Sequence, residues 1–211
     1  MKDFLSGLYL ITPQLESDEL LFSICEKILA HGVNLLQYRD KTNSVTKKLY
    51  RSKVLREITK KYNTKLIIND SLLLCLRSDA DGVHYGKDDG SLVFARNILG
   101  NDKILGASCY DSLQTAVRAE TLGVDYVAFG AVAKSQTKPN NKIVPMNTII
   151  QAKNSLQIPI CLIGGITTQN AEQIKQQSQA DMLAIISDVF DDFDENQSKE
   201  KINFYNSLFA N

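Results

Sequence analysis

The sequence predicts an α/β protein of the closed (β/α)8 TIM-barrel kind, and three observations carry that prediction. Short apolar runs rich in Val, Ile, Leu and Tyr alternate along the chain with polar stretches of helical period, the form taken by βα units around a parallel sheet. The apolar runs number about eight, the count at which parallel strands close on themselves. The length of 211 residues suits one barrel, a single domain over residues 1–211, because α/β barrels run to roughly 200–250 residues. An open doubly wound sheet is the competing architecture. It places a Gly-rich turn after its first strand, where this chain has Thr12-Pro13-Gln14.

The strands are expected over 7–12 (GLYLIT), 34–39 (NLLQYR), 65–69 (KLIIN), 81–85 (DGVHY), 104–108 (ILGAS), 125–130 (DYVAFG), 159–164 (PICLIG) and 181–187 (DMLAIIS). Segments 18–31, 44–62, 91–99, 112–122, 147–157 and 169–177 carry apolar residues three and four apart, with Ser, Thr, Asp or Asn near several starts, and are expected as helices. Residues 134–147 hold two prolines and Asn140-Asn141 without periodicity, so they are expected as a loop that acts as a lid. The acidic run DDFDEN at 191–196 leads to a last helix, 198–209, whose Ile202, Phe204, Tyr205 and Leu208 are expected to seal the barrel. No internal repeat beyond the βα period stands out.

The composition, 44% apolar and 23% charged with 24 basic against 24 acidic side chains, is that of a globular protein and offers no field for attracting nucleic acid or anionic lipid. Binding is therefore expected to be local, to small molecules, with no nucleic acid and no membrane. A homodimer is compatible with the sequence. Cys25, Cys75, Cys109 and Cys161 have no C-x-x-C spacing and no histidine cluster beside them; they are expected as buried thiols of a cytoplasmic protein. From the first residues neither a signal peptide nor a membrane span is expected.

In such a barrel the chemistry sits at the C-terminal ends of the strands. Strand two ends in Gln37-Tyr38-Arg39-Asp40-Lys41, and strand alternation aims Gln37, Arg39 and Lys41 the same way, one neutral donor and two cations on one volume. A solvated or ion-paired strand end is the plainer reading of that segment. Strand three ends in Asn69-Asp70 and strand four is followed by Gly86-Lys87-Asp88-Asp89. Two carboxylates beside these cations suit a Mg2+ ion holding a diphosphate, since Mg2+ binds through one or two carboxylates plus phosphate oxygens. Asp70 as an N-cap of the helix starting at Ser71, and Asp89 as a mere loop residue before Ser91, are the alternatives. Asp88 fits the loop role.

Gly164-Gly165 after strand seven and Ile186-Ser187 at the end of strand eight suggest a second anion site, where barrels bind phosphate on backbone N–H groups. A tight turn at the glycines and an N-cap at Ser187 are the alternatives. Ser108, at the end of strand five, and Ser135-Gln136-Thr137-Lys138, after strand six, can bridge both anions. Ser108 as a helix cap and Lys138 as surface charge are the plainer readings. His84 reads as a packed strand residue and His31 as a cation closing a helix. Without a base at the mouth, catalysis is expected to rest on stabilising a leaving group.

Taken in order, Gln37-x-Arg39-x-Lys41, Asn69-Asp70, Gly82-Val83-His84-x-Gly86-x-x-Asp89, Gly106-x-Ser108, Thr137-Lys138, Ile163-Gly164-Gly165-Ile166 and Ile186-Ser187 resemble the thiamine phosphate synthase family from Gly7 to Phe190. The resemblance implies a (β/α)8 transferase that joins hydroxymethylpyrimidine diphosphate to thiazole phosphate. It implies that Gln37, Arg39, Lys41, Asn69, Ser108 and Lys138 hold the pyrimidine diphosphate, with Arg39, Ser108 and Lys138 at the reacting centre. Asp70 and Asp89 would bind Mg2+, and Ser135, Thr137, Gly165, Ile186 and Ser187 the thiazole phosphate. In such a family the diphosphate leaves first, and the thiazole nitrogen captures the pyrimidinylmethyl cation.

The chain departs from the family pattern around the expected lid. A motif that usually reads Phe-x-Thr-x-Thr-Lys is occupied or bordered by Ala133, Ser135 and Pro139, and Met146 stands near an expected glycine. The related thiazole tautomerase is the nearest rival; it is expected to place a histidine just after the strand-six glycine, where this chain has Ala131. A non-catalytic thiamine phosphate sensor on the same barrel is the rival of another class. It would have no use for a diphosphate-bound metal at Asp70 and Asp89.

Overall fold

The structure is a computed structural model that describes residues 5–134, 142–190 and 194–210. Eight parallel strands close into one barrel in sequence order: β1 (Gly7–Ile11), β2 (Leu35–Tyr38), β3 (Lys65–Asn69), β4 (Gly82–Tyr85), β5 (Ile104–Tyr110), β6 (Tyr126–Gly130), β7 (Ile160–Ile163) and β8 (Met182–Ile185), with β1 pairing to β8. Around them run α1 (Asp18–Leu29), α2 (Val45–Lys61), α3 (Leu72–Arg77), α4 (Leu92–Leu99), α5 (Leu113–Thr121), α6 (Met146–Ser155), α7 (Ala171–Ser178), α8 (Ser187–Phe190) and α9 (Glu195–Ser207).

The strands read as continuous apolar runs because both of their faces are covered. One face enters the barrel, where Tyr9, Leu35, Ile67, Ile104, Tyr126, Cys161 and Met182 fill the interior. The other meets the helices in a larger core that includes Leu8, Leu36, Ile68, Val83, Leu105, Val127, Leu162 and Leu183. Helix starts follow the serines: Ser17, Ser44, Ser71, Ser91 and Ser112 each accept a hydrogen bond from the backbone N–H three residues on, an arrangement worth about 1 kcal/mol apiece. The last helix packs on α1, α8 and β1 through Ile202 and Tyr205, both fully buried, with Phe204 and Leu208 partly so.

The base of the barrel carries a device that the sequence reading did not detect. Asp81, Asp125 and Asp181 immediately precede β4, β6 and β8. Each accepts the backbone N–H of a residue in the preceding strand (Leu66, Leu105 and Ile160) and a cation from the helix before it (Arg56, Arg96 and Lys153). The staple recurs at three of the four even-numbered strands; β2 is preceded by Asn34 instead. Its period is invisible in the sequence because the intervening loops differ in length.

Two expectations need correction. Helix α3 was absent from the helical segments expected by periodicity, because its six residues are too few to show a period. Strand β5 runs on to Tyr110, past the expected end at Ser108. The four cysteines are buried and free as expected, and burial pushes each thiol above its ordinary range. Among the described residues, no helix is long and apolar enough to cross a membrane.

Candidate functional site

At the end of β2 the chain separates into structural and exposed charges. The Asp40 side chain is buried, and its two oxygens accept from six donors: Thr42 N, Asn43 N and Gln14 Nε2 on Oδ1, and Tyr38 Oη, Asn43 Nδ2 and the Arg51 guanidinium on Oδ2, at 2.7–3.2 Å. Burial alone would raise the carboxyl pKa, but the bonds from Asn43, Gln14 and Tyr38 outweigh it and hold Asp40 well below the ordinary range. Arg51, on α2, also reaches Asp18 and the carbonyls of Leu15 and Glu16, so one guanidinium ties the β1–α1 and β2–α2 loops together. This anchor fixes the backbone on either side of Arg39 and Lys41.

The expected convergence of Gln37, Arg39 and Lys41 is corrected in part. β2 ends at Tyr38, so strand alternation stops governing direction there, and the three side chains have different surroundings. Gln37 is inside the barrel and donates from Nε2 to Tyr9 Oη at 2.8 Å. Arg39 is half-buried, its backbone N–H donating to Thr12 Oγ1. Lys41 Nζ forms an ion pair with Asp70.

Asp70 follows β3 with φ of 66°, a left-handed conformation that Asp tolerates better than most residues and that costs on the order of 1 kcal/mol. The N-cap of α3 is Ser71, so Asp70 is not the cap and its carboxylate is available to Lys41. After β4, Asp89 accepts the Gly86 N–H at 2.6 Å, while Ser91 caps α4. Burial first and the neighbouring Asp70 carboxyl second raise the Asp89 pKa, against the Gly86 N–H. Tyr38, Asp40, Lys41, Lys48, Asn69, Asp70, Ser71 and Leu74 line a cleft of about 90 Å3 beside this cluster. Asp88 is exposed, as expected of a loop residue. Among the described residues no three His, Cys, Asp or Glu side chains gather into a preformed metal site. A facing pair of oxygens that repel one another is nevertheless the donor set a phosphate-bound Mg2+ takes.

The barrel interior holds what the sequence reading missed. From Gln37 a chain of hydrogen bonds runs through Tyr9 Oη to Tyr126 Oη (2.9 Å), to His84 Nδ1 (2.9 Å), and from His84 Nε2 to Ser108 Oγ (2.8 Å). His84 is packed, as expected, but its ring links two hydroxyls; burial pushes its pKa down to about 4, with Asp70 opposing. Ser108 is no helix cap, since Ser112 caps α5. Gly106 makes room: a Cβ there would fall inside the Tyr126 ring. The available signal was a pair of inward glycines, Gly82 and Gly106, next to inward polar aromatics on β1 and β6.

Across the mouth, Gly164 and Gly165 follow β7 at φ of 96° and 73°, and Ile186-Ser187 follow β8. A Cβ on Gly165 would strike the carbonyls of Ala133 and Lys134, so this glycine lets the loops after β6 and β7 touch. Ser187 is the first residue of α8 and not its N-cap; the first helical bond runs from Phe190 N to Ile186 O. Asp188 accepts from Thr168 N and Tyr205 Oη, which draws the last two loops together. Ala131 is buried, and a Cβ on Gly164 would lie 2.7 Å from its methyl, so the position expected to carry a tautomerase base holds only an alkyl group. Met146 starts α6 and packs on the core. Ser135, Gln136, Thr137, Lys138 and Pro139 lie outside the described residues.

A closed (β/α)8 barrel whose C-terminal rim gathers acidic, basic and amide groups beside a cleft has the form of a small-molecule enzyme of the α/β-barrel class. A profile of the thiamine monophosphate synthase family matches residues 8–189, and the chain belongs to that family. It is 40% identical over 210 residues to the thiamine-phosphate synthase of Azoarcus sp., covering 100% of both chains. It is 44% identical over 182 residues to that of Methylobacillus flagellatus, covering 86% of each. The solved thiamine phosphate pyrophosphorylase of Pyrococcus furiosus superposes with a TM-score of 0.83 at 26% identity, over 98% of this chain and 96% of that one.

Proposed function

We propose that this chain, one domain and a thiamine-phosphate synthase by family, condenses 4-amino-2-methyl-5-hydroxymethylpyrimidine diphosphate with 4-methyl-5-(2-phosphoethyl)thiazole at the C-terminal mouth, releasing pyrophosphate. In this reading Gln37, Arg39, Lys41, Asn69, Ser108 and Lys138 hold the diphosphate substrate. Ser135, Thr137, Gly165, Ile186 and Ser187 hold the thiazole phosphate. The observation that carries it is the meeting of Lys41, Asp70 and Asp89 beside Asn69 and the cleft.

Asp70 and Asp89 would hold Mg2+, which supplies charge neutralisation for a departing diphosphate. The rest falls to the chain. Arg39 and Lys138 stabilise negative charge as it develops on the leaving oxygens, and the Ser108 hydroxyl orients the pyrimidine part. Holding both substrates in one mouth supplies positioning that solution lacks. A cation on Asp70 would displace Lys41 Nζ from that carboxylate and turn its charge toward phosphate.

The reading includes a cytoplasmic location and a homodimer; the support for the dimer is the exposure of Leu73 on α3 and of Val93, Phe94 and Ile98 on α4. Sedimentation equilibrium checks the dimer. For the chemistry, purified protein with Mg2+ and both substrates is expected to release pyrophosphate, and Asp70→Ala to abolish turnover while the circular dichroism spectrum stays native. Full turnover in that variant would reject the metal assignment.

A further inference from the structure

The barrel interior between β1, β2, β4, β5 and β6 contains five polar side chains in one unbranched line, and the orientation of the Gln37 amide at its end sets the order of their protons. Gln37, Tyr9, Tyr126 and His84 are 3%, 1%, 0% and 7% exposed, so their polar atoms bond chiefly to one another. The Gln37 amide is placed with its nitrogen toward Tyr9 Oη, and in that orientation it donates and cannot accept in return. The Tyr9 proton therefore goes to its other neighbour, Tyr126 Oη. The Tyr126 proton then goes to His84 Nδ1. With Nδ1 accepting, His84 carries its proton on Nε2 and donates it to Ser108 Oγ. The Ser108 oxygen is occupied as an acceptor, which leaves its own proton pointing away from the line.

We propose that Tyr9, Tyr126 and His84 are positioning residues for the reaction: they carry the donor polarity of the Gln37 amide across the barrel interior to the Ser108 hydroxyl, so that Ser108 offers a proton to the substrate. Such a serine selects a hydrogen-bond acceptor, an anionic oxygen or an unprotonated ring nitrogen, and rejects an N–H at the same point. The proposal rests on placing Gln37 and Ser108 against the substrate. Packing keeps the line rigid. The His84 ring stacks on Tyr126 at 5.5 Å and 27°, and Tyr9 meets Tyr126 edge-on at 5.9 Å. Gly106 leaves the space that the Tyr126 ring occupies. Burial raises the phenol pKa of both tyrosines, so both remain hydroxyls.

The polarity is reversible by one substitution at the far end. In Gln37→Glu an ionised carboxylate accepts from Tyr9, every bond in the line turns round, and His84 must move its proton to Nδ1. The chain has 2 histidines, so a 15N-histidine spectrum assigned with His84→Gln reads the tautomer directly. The expected result is the Nε2–H form in the unaltered protein, the Nδ1–H form in Gln37→Glu at alkaline pH, and a return to Nε2–H when Tyr9→Phe is added to cut the line. An Nδ1–H form in the unaltered protein, or no change of tautomer in a folded Gln37→Glu, would overturn the proposal.

Turnover separates the line from the site. Tyr126→Phe is expected to lower kcat roughly tenfold, about the worth of one oriented hydrogen bond, but less than about twofold in a Ser108→Ala background. Equal losses in both backgrounds would mean that Tyr126 acts only on the fold and would overturn the line alone. Full turnover in Ser108→Ala would overturn the placing of Ser108 at the substrate and the proposal with it.

Discussion

Asp40→Asn tests whether the anchor under the β2–α2 loop is as demanding as its geometry. The carboxylate accepts three donors on each oxygen, and its side chain is only 2% exposed. Asparagine has the same shape but one accepting atom, so whichever way the amide is turned its NH2 faces three donors. At about 1 kcal/mol per lost hydrogen bond this removes roughly 3 kcal/mol. Arg51, itself 1% exposed, also loses one of its two carboxylates, which brings the total to roughly 3–5 kcal/mol. For a chain of this length the midpoint of thermal unfolding should fall by roughly 10 °C. Lys41→Ala, next in sequence, breaks an exposed ion pair worth at most about 1 kcal/mol and serves as the control; its effect should appear in turnover instead.

Urea unfolding followed by circular dichroism gives both differences. Asp40 also has a pH signature. Its folded pKa lies below the unfolded one, so its contribution is present above the ordinary aspartate range and is lost as pH falls below about 4 toward the folded value. The Asp40→Asn deficit should therefore shrink on acidification. A loss under 1 kcal/mol at neutral pH, or a deficit that grows in acid, would refute the reasoning.

Two further outcomes follow from the same geometry. Gly106→Ala should destabilise the fold by roughly 1–3 kcal/mol and displace Tyr126, measurable as a lowered urea midpoint with a changed tyrosine fluorescence, because the added methyl has no space except that of the ring. Asp89 has a raised folded pKa, so the metal-free protein is favoured at low pH and loses that advantage as pH rises through the folded value. Mg2+ competes with the same proton, so the rise in unfolding midpoint on adding Mg2+ should be larger at pH 8 than at pH 5; an equal or reversed shift counts against Asp89 as a ligand.

The barrel was legible because its determinants are local. Both faces of each strand are buried, so the runs around Leu36, Ile68, Val127 and Leu183 are apolar without interruption, and serines stand where helices begin. The placing of Asp70 and Asp89 after β3 and β4 was legible for a related reason, since strand order alone sets which loop a residue stands in. Helix α3 was anticipated only as a helix starting at Ser71 and not by period, because one and a half turns show none.

Other decisions belonged to the tertiary structure. Sequence spacing aimed Gln37, Arg39 and Lys41 at one volume, but β2 stops at Tyr38 and hydrogen bonding then sends Gln37 inward and Lys41 to Asp70. His84 read as a packing residue, and nothing local singled out Tyr9 or Tyr126; only closing the barrel brings hydroxyls 117 positions apart to 2.9 Å. The sequence by itself determined which residues line the strands and their ends, since periodicity and strand-end position act within a few residues. Which of those side chains touch across the barrel, and in which direction their protons run, was decided by the closed tertiary structure, because those distances depend on all eight strands at once.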